Sequence, residues 1–233
     1  MEKIIYPVWK HDTESSTDFK QKLLGKVSGQ LIELGVHKLR ISVVDEDVAP
    51  ADPIRIESTK PPIWGMISMW VDTAINRQPL EEVIKNAVAR LAGYLVTESE
   101  PIVNTKYVVA DGKRTPGMNQ VAFLQKPPRL NYEYWLEIWL GSHTQVAIDT
   151  QSTFGYRQNV IVRPLTYAAP PYNAIVEENF PEAAMTDRMA FFDSVGDKEK
   201  FKQRQQAMME SCARFIDFDK IDCIPTSEYV MKS

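Results

Sequence analysis

The chain reads as an α+β protein built from two ferredoxin-like βαββαβ units whose antiparallel sheets pair face to face. Three observations predict this. Apolar residues recur every second position in some segments and every third or fourth in others, in the order strand, helix, strand, strand, helix, strand. The same order returns after roughly 110–120 residues, a domain-sized interval that reads as a duplication rather than a short repeat array. Strands such as Met66-Ile67-Ser68-Met69-Trp70-Val71 and Val121-Ala122-Phe123-Leu124 are nearly apolar on both faces. The face away from the helices therefore needs cover, and the sheet of the other half is the simplest cover.

The first unit is expected over residues 1–110. Residues 4–10 are β-branched and aromatic, a strand. Ser15, Ser16 and Thr17 offer caps to a helix whose buried stripe is Phe19, Leu23, Val27, Leu31 and Leu34, stopped by Gly35. Residues 38–44 alternate Leu39, Ile41 and Val43 against Lys38, Arg40 and Ser42, a second strand. Residues 45–62 hold Pro50, Pro53, Pro61 and Pro62 and read as a loop, acting as a lid or as the contact of a homodimer. A strand over 64–71, a helix over 80–91 and a strand over 94–103 complete the unit. Asp111-Gly112 is a hairpin signal between Tyr107-Val108-Val109 and Lys113-Arg114.

The second unit is expected over residues 111–233. Strand 118–125 leads to a helix opened by Asn131 and running to about residue 149. Strands follow at 157–164 and 173–180. The second helix is split, 183–192 and 198–215, the latter carrying Phe201, Met208, Cys212 and Phe215 on one stripe. Residues 221–231 form the closing strand.

Composition excludes several classes. The 233 residues carry a net charge of −4, which does not fit a strongly basic nucleic-acid surface. No stretch approaches the roughly 20 apolar residues that span a bilayer. Lys10, His11 and Asp12 interrupt any signal-peptide core at the start. Cys212 and Cys223 fit reduced, buried thiols, so a cytoplasmic location is expected, without nucleic-acid or membrane partners. His11, His37 and His143 lack metal-ligand spacing, and Asp45-Glu46-Asp47 lacks the pattern of a calcium loop. There is no phosphate loop and no nucleophile elbow.

Three motifs in order carry a resemblance. They are Tyr134-Trp135-Leu136-Glu137-Ile138-Trp139-Leu140-Gly141-Ser142-His143 on the first helix of the second unit, then Gly155-Tyr156-Arg157-Gln158-Asn159. Last come Arg214-Phe215-Ile216-Asp217 and Thr226-Ser227-Glu228-Tyr229-Val230 at its end. Together they resemble an EthD-type domain of the dimeric α/β-barrel superfamily, in which a tryptophan stands four residues before a histidine, as Trp139 does before His143. In the first unit Leu24 and Ser28 fall at those two positions, so it resembles a degenerate copy. The resemblance implies an intrachain dimeric α/β barrel. It also implies a small-molecule enzyme without metal or organic cofactor, acting on aromatic or polyketide-like carbonyl compounds.

His143 is the candidate catalytic residue. Helical spacing sets it on one face with Trp135 and Trp139. Desolvation there keeps an imidazole neutral near pH 7, as a general base must be. The competing role is a core histidine bonded to a backbone carbonyl. Trp135 and Trp139 are the expected apolar wall of a substrate site. Tyr156 or Gln158 would hydrogen-bond a substrate oxygen, and Asn119 would line the same cavity. Alternation sets Tyr156 and Gln158 on the face opposite Arg157 and Asn159, so these four cannot share one pocket.

Three functions compete. The first is cofactor-free acid–base catalysis: cyclisation, isomerisation or decarboxylation. The second is binding of a hydrophobic ligand without chemistry, as an auxiliary of an oxidative degradation pathway. The third is a pseudo-dimer with a filled core. An open cavity between helix 131–149 and its sheet, with His143 pointing into it, separates the first two from the third.

Overall fold

Eight long strands pair antiparallel into a closed barrel in the computed structural model, which describes residues 1–233. They are β1 (Glu2–Trp9), β2 (Lys38–Val43), β3 (Gly65–Val71), β4 (Tyr94–Ile102), β5 (Met118–Leu124), β6 (Gly155–Pro164), β7 (Ala174–Phe180) and β8 (Asp222–Lys232). Around the barrel the order is β2-β3-β1-β4-β6-β7-β5-β8, and β8 returns to β2. The first four strands and the last four thus follow the same internal order.

The two sheets do more than face each other. They fuse along both edges: Glu98 pairs with Asn159 between β4 and β6, and Tyr229 pairs with Ile41 between β8 and β2. Edge pairing satisfies backbone groups that two separate sheets would leave open, and it encloses a common interior.

Helices cover the outer surface. Helix α1 is a continuous run of Ser16–Lys22, a π segment Leu23–Val27, and Ser28–Glu33. The Ser15 side chain accepts from the Asp18 N–H at 3.0 Å, the expected cap. The buried face of α1 (Phe19, Leu23, Val27, Leu31) packs with Leu39, Ile41, Ile67 and Met69 of β2 and β3. Helix α2 (Gln78–Lys85) adds Leu80 and Ile84 to this layer. Helix α3 has the same plan as α1: Tyr132–Leu136, a π segment Glu137–His143, then Thr144–Thr150. Short α4 (Arg188–Phe191) and long α5 (Lys198–Phe215) follow β7.

The barrel interior divides by polarity. One end is apolar, with Ile5, Trp9, Tyr94, Phe123, Tyr172 and Ile224 among its residues. The other end is ionic. Lys3 sits 3.3 Å from Glu177 and also pairs with Glu98, while Arg157 pairs with Glu177 at 3.0 Å and with Glu228. Gly117, just before β5, has φ +86°, and a Cβ there would lie 2.0 Å from the Phe180 carbonyl oxygen, so only glycine lets β5 start against the end of β7.

Four local expectations are corrected. The helix expected to reach residue 91 ends at Lys85, because Arg90–Leu91 pairs instead with Trp9 and Val8. Lys113–Arg114 pairs with Val230 and Tyr229 of β8, not with residues 107–109, so Asp111-Gly112 turns onto β8 and makes no local hairpin. The helix expected over 183–192 is a 3-10 turn, Glu182–Met185, followed by α4. Finally, residues 45–62 contain a 3-10 helix, Glu46–Ile54, and are fastened down rather than free. Ile56 and Cys223 exchange both backbone hydrogen bonds at 2.9 Å. The Asp222 carboxylate accepts from the Ser58 and Thr59 N–H groups (2.8 and 2.9 Å), and from the Thr59 and Tyr172 hydroxyls, both at 2.6 Å.

Candidate functional site: the outer layer of the second half and its groove

Helices α3 and α5 pack on the outward face of β5–β8, and this layer gathers most of the expected site. Asn131 caps α3 by accepting from the Tyr134 N–H at 2.8 Å. Trp135 and Trp139 turn inward, fully buried, with ring centres 5.4 Å apart, and the Trp135 indole donates to the Phe215 carbonyl at 3.0 Å. Below them Gln158 Nε2 donates to the Tyr156 hydroxyl at 3.1 Å and to the Thr144 hydroxyl at 2.7 Å. Burial, helped by the charge of Glu178, raises the Tyr156 phenol, so it stays protonated.

His143 ends the π segment of α3. A π turn closes over one more residue than an α turn, so the helical phase slips between Trp139 and His143. The imidazole therefore faces α5, not the sheet. Its Nδ1 lies 2.9 Å from the Ser211 hydroxyl, and its ring centre is 4.5 Å from that of Phe215. Burial, then the positive charge of Arg214, lowers its pKa to about 4, so it is neutral at pH 7 as expected. Asn119 is not part of this layer. It points into the barrel, where its amide donates to the Ser42 hydroxyl at 3.1 Å.

The open space lies at the edge of the layer. A groove of about 700 Å³ runs between the fastened segment 46–56 on one side and residues 182–192 on the other. Its walls include Pro53, Ile54, Ile56, Met185, Phe191 and Phe192, and its floor is the outward face of β5 and β8 at Gln120 and Cys223. Two arginines border it. Arg55 is held by the Ile63 carbonyl at 3.0 Å and stacks 5.4 Å over Trp64, whereas Arg188 is exposed on the rim. His143, Trp135, Trp139, Tyr156 and Gln158 do not line the groove.

Beside the groove floor stands Glu178. It pairs directly with Gln120 on one side and Tyr156 on the other, so the three side chains share the outward face. It is 9 % exposed and has no charge partner, and burial alone raises its carboxyl to about 7. Its charge contributes, after burial, to pushing the Cys212 and Cys223 thiols up to about 12. No group of three or more His, Cys, Asp or Glu side chains is arranged to hold a metal ion, and no helix is long and apolar enough to cross a membrane.

No protein-family model matches the chain, and no curated protein matches it in sequence. Solved structures match it in architecture. An anthrone oxidase-like protein superposes with a TM-score of 0.51 at 7 % identity, over 98 % of this chain and 91 % of its own. A candidate monooxygenase of Fusobacterium nucleatum gives 0.51 at 11 % identity, over 99 % and 92 %. A candidate monooxygenase of Lactobacillus acidophilus gives 0.49 at 8 %, over 99 % and 96 %. What is shared is the architecture, an antiparallel eight-strand barrel with helices on its outer surface.

The motifs legible in the sequence mark the packed wall of this layer and not its opening. Glu178, Gln120 and Arg188 belong to no motif. The one available signal was Glu177-Glu178 in the middle of a strand whose residues are all buried. Two adjacent carboxylates in such a strand must face opposite sides of the sheet, and each needs a reason to be there.

Proposed function

We propose that this chain is a small-molecule enzyme whose substrate rests in the groove between residues 46–56 and 182–192. The observation that carries the reading is the groove itself. Its volume of about 700 Å³ falls in the usual range for ligand pockets. Its walls are mainly apolar and aromatic, with a few polar groups to set orientation, as small-molecule sites require. The substrate class is an aromatic or polyketide-like carbonyl compound, and the chemistry is acid–base: cyclisation, isomerisation or decarboxylation. The name of one structural neighbour, anthrone oxidase-like, agrees with a small aromatic substrate.

The finer EthD-type assignment rests on the Trp135, Trp139 and His143 motif. The repeated strand order supports reading the chain as a tandem pair divided near residue 110, with the first half degenerate. In this reading the Ser211 contact of His143 ties α3 to α5, and the tryptophans stiffen the layer behind the groove.

The test is a thermal-shift screen of aromatic ketones and phenols against the native chain and Thr186→Trp, which fills the groove from an exposed position. Compounds that raise the Tm of the native protein are expected to leave the variant unmoved. Equal shifts in both proteins, or none from any compound, defeat the reading. His143→Ala separates the two roles of the imidazole: lost turnover with binding kept would restore it as the base.

A further inference from the structure

We propose that the groove binds a monoanionic aromatic carboxylate, with its ring between the apolar walls and its carboxylate held at the rim by Arg188. The inference rests on the groove being the ligand site and adds to it the charge of the ligand and the residue that reads that charge.

The walls set the shape. Phe191 stacks on Phe180 with ring centres 4.3 Å apart, and Phe192 stands edge-on to Phe191 at 5.2 Å. Phe192 also meets Phe201 at 5.8 Å. Rings fixed by their neighbours offer a flat apolar ligand contact area that needs no further ordering on binding.

The charges set the chemistry. Arg55 and Arg188 line the groove and no Asp or Glu does, in a chain whose net charge is −4. Arg55 is already compensated: Glu57 Oε1 lies 2.5 Å from its Nε, and its Nη2 donates to the Ile63 carbonyl at 3.0 Å. Arg188 is exposed, and its guanidinium has no partner within the chain. The carboxylate of its neighbour Asp187 is engaged instead as the cap of α4, accepting from the Met189 N–H at 2.8 Å. One uncompensated cation thus borders the groove. A guanidinium matches a carboxylate through two parallel hydrogen bonds. A phosphate monoester, at about −1.5 to −2, brings more charge than one free arginine can match.

Position fixes the orientation. The floor is neutral, formed by Gln120 and by the Cys223 thiol, which burial keeps protonated. Glu178 stands beside Gln120 on the same face of the sheet. A carboxylate driven to the floor would lose water, gain no cation and approach another carboxyl group. At the rim it keeps water and meets Arg188. The ligand therefore enters ring first. The Gln120 carboxamide, which has no hydrogen-bond partner within the chain, is left to take a carbonyl or hydroxyl on the buried edge of the ring.

The experiment compares 2-naphthoate, a carboxylate ionised at pH 7, with 2-naphthamide, its neutral counterpart of the same shape, by calorimetric titration. The native chain is expected to bind naphthoate roughly tenfold more tightly. Arg188→Gln should erase that preference by weakening naphthoate alone. Equal weakening of both probes would mean that Arg188 only shapes the wall, and it overturns the proposal. Thr186→Trp should abolish binding of both. If Thr186→Trp blocks both probes but the native chain binds them equally, the groove is the ligand site and the anion assignment is wrong. If Arg188→Gln keeps the preference, another group holds the carboxylate and the proposal also fails. If neither probe binds the native chain, or both stay bound in Thr186→Trp, the groove is not a site for such rings and both readings fall. Salt gives a variant-free check: raising it from about 50 to about 500 mM should weaken naphthoate and spare naphthamide, and equal responses contradict a charge contact.

Discussion

Glu177 and Glu178 are adjacent in β7, lie on opposite faces of one sheet, and meet opposite electrostatic surroundings. Burial raises the Glu177 carboxyl, but Arg157 and Lys3 outweigh it and hold it below the ordinary carboxylate range. Glu178 feels burial alone and rises to about 7. One strand thus buries a permanent anion and a titrating acid side by side.

Glu178 makes stability fall with rising pH. The folded chain keeps this proton up to about 7, while the unfolded chain releases it near 4.5. Between those values the folded state binds more protons, so each step up in pH costs stability, on the order of 3 kcal/mol across the window. Glu178→Gln removes that loss. Urea unfolding should find the variant near the native protein at pH 4.5 and more stable at pH 8, and equal stability at pH 8 contradicts the raised carboxyl.

Glu177 works with the opposite sign. Its stabilising pairs are complete above the unfolded carboxylate range and are lost as pH falls below it. Glu177→Gln leaves Lys3 and Arg157, 1 % and 3 % exposed at their side chains, with fewer counter-charges. Breaking one member of a buried ionic set costs about 3–5 kcal/mol. Chemical denaturation at pH 7 should show a loss of that size, and one that narrows as the pH drops below 4.5. A loss under 1 kcal/mol at pH 7 would mean that the network does little for stability.

The imidazole of His143 titrates near 4 when folded, against an ordinary value of 6.5. The unfolded chain binds more protons between those values, so acid costs stability through this residue as pH falls from 6.5 to 4, by on the order of 3 kcal/mol. His143→Leu should flatten that part of the stability profile relative to the native chain. Identical profiles in the two proteins would place the imidazole in a wetter site than the α3–α5 contact.

Asp222 fastens one wall of the groove. Its carboxylate receives four donors from Ser58, Thr59 and Tyr172. Asp222→Ala strands those donors, at roughly 1–3 kcal/mol for each one that water does not reach. The expected result is faster proteolytic cleavage within residues 56–62 and weaker binding of groove probes, both read directly on the full chain. Unchanged cleavage would show that the Ile56–Cys223 pairing holds the segment unaided.

The fold was legible because burial writes a period into the chain. Leu39, Ile41 and Val43 face α1 as their alternation requires, and Phe19, Leu23, Val27 and Leu31 keep to one stripe. Closure was less visible, since β4–β6 and β8–β2 pairing depends on backbone edges that leave no side-chain pattern. The site divides along the same line. Trp135, Trp139, Tyr156 and Gln158 share one layer because helical spacing and strand alternation dictate it. His143 left the expected face because a π segment, which no residue pattern announces, breaks that spacing. The groove was hidden because segments far apart in sequence build it.

Closing the barrel through β8 has a consequence for how the protein is made. Tyr229 meets Asp45 across 184 positions of sequence. During synthesis the edges of β2 and β4 emerge early and wait, unpaired, for partners still inside the ribosome. An open strand edge is a template for the wrong chain. The 11 residues of β8 end that exposure, so deleting its half that pairs with β2, residues 227–232, should promote aggregation while leaving Cys223 on the groove floor in the chain.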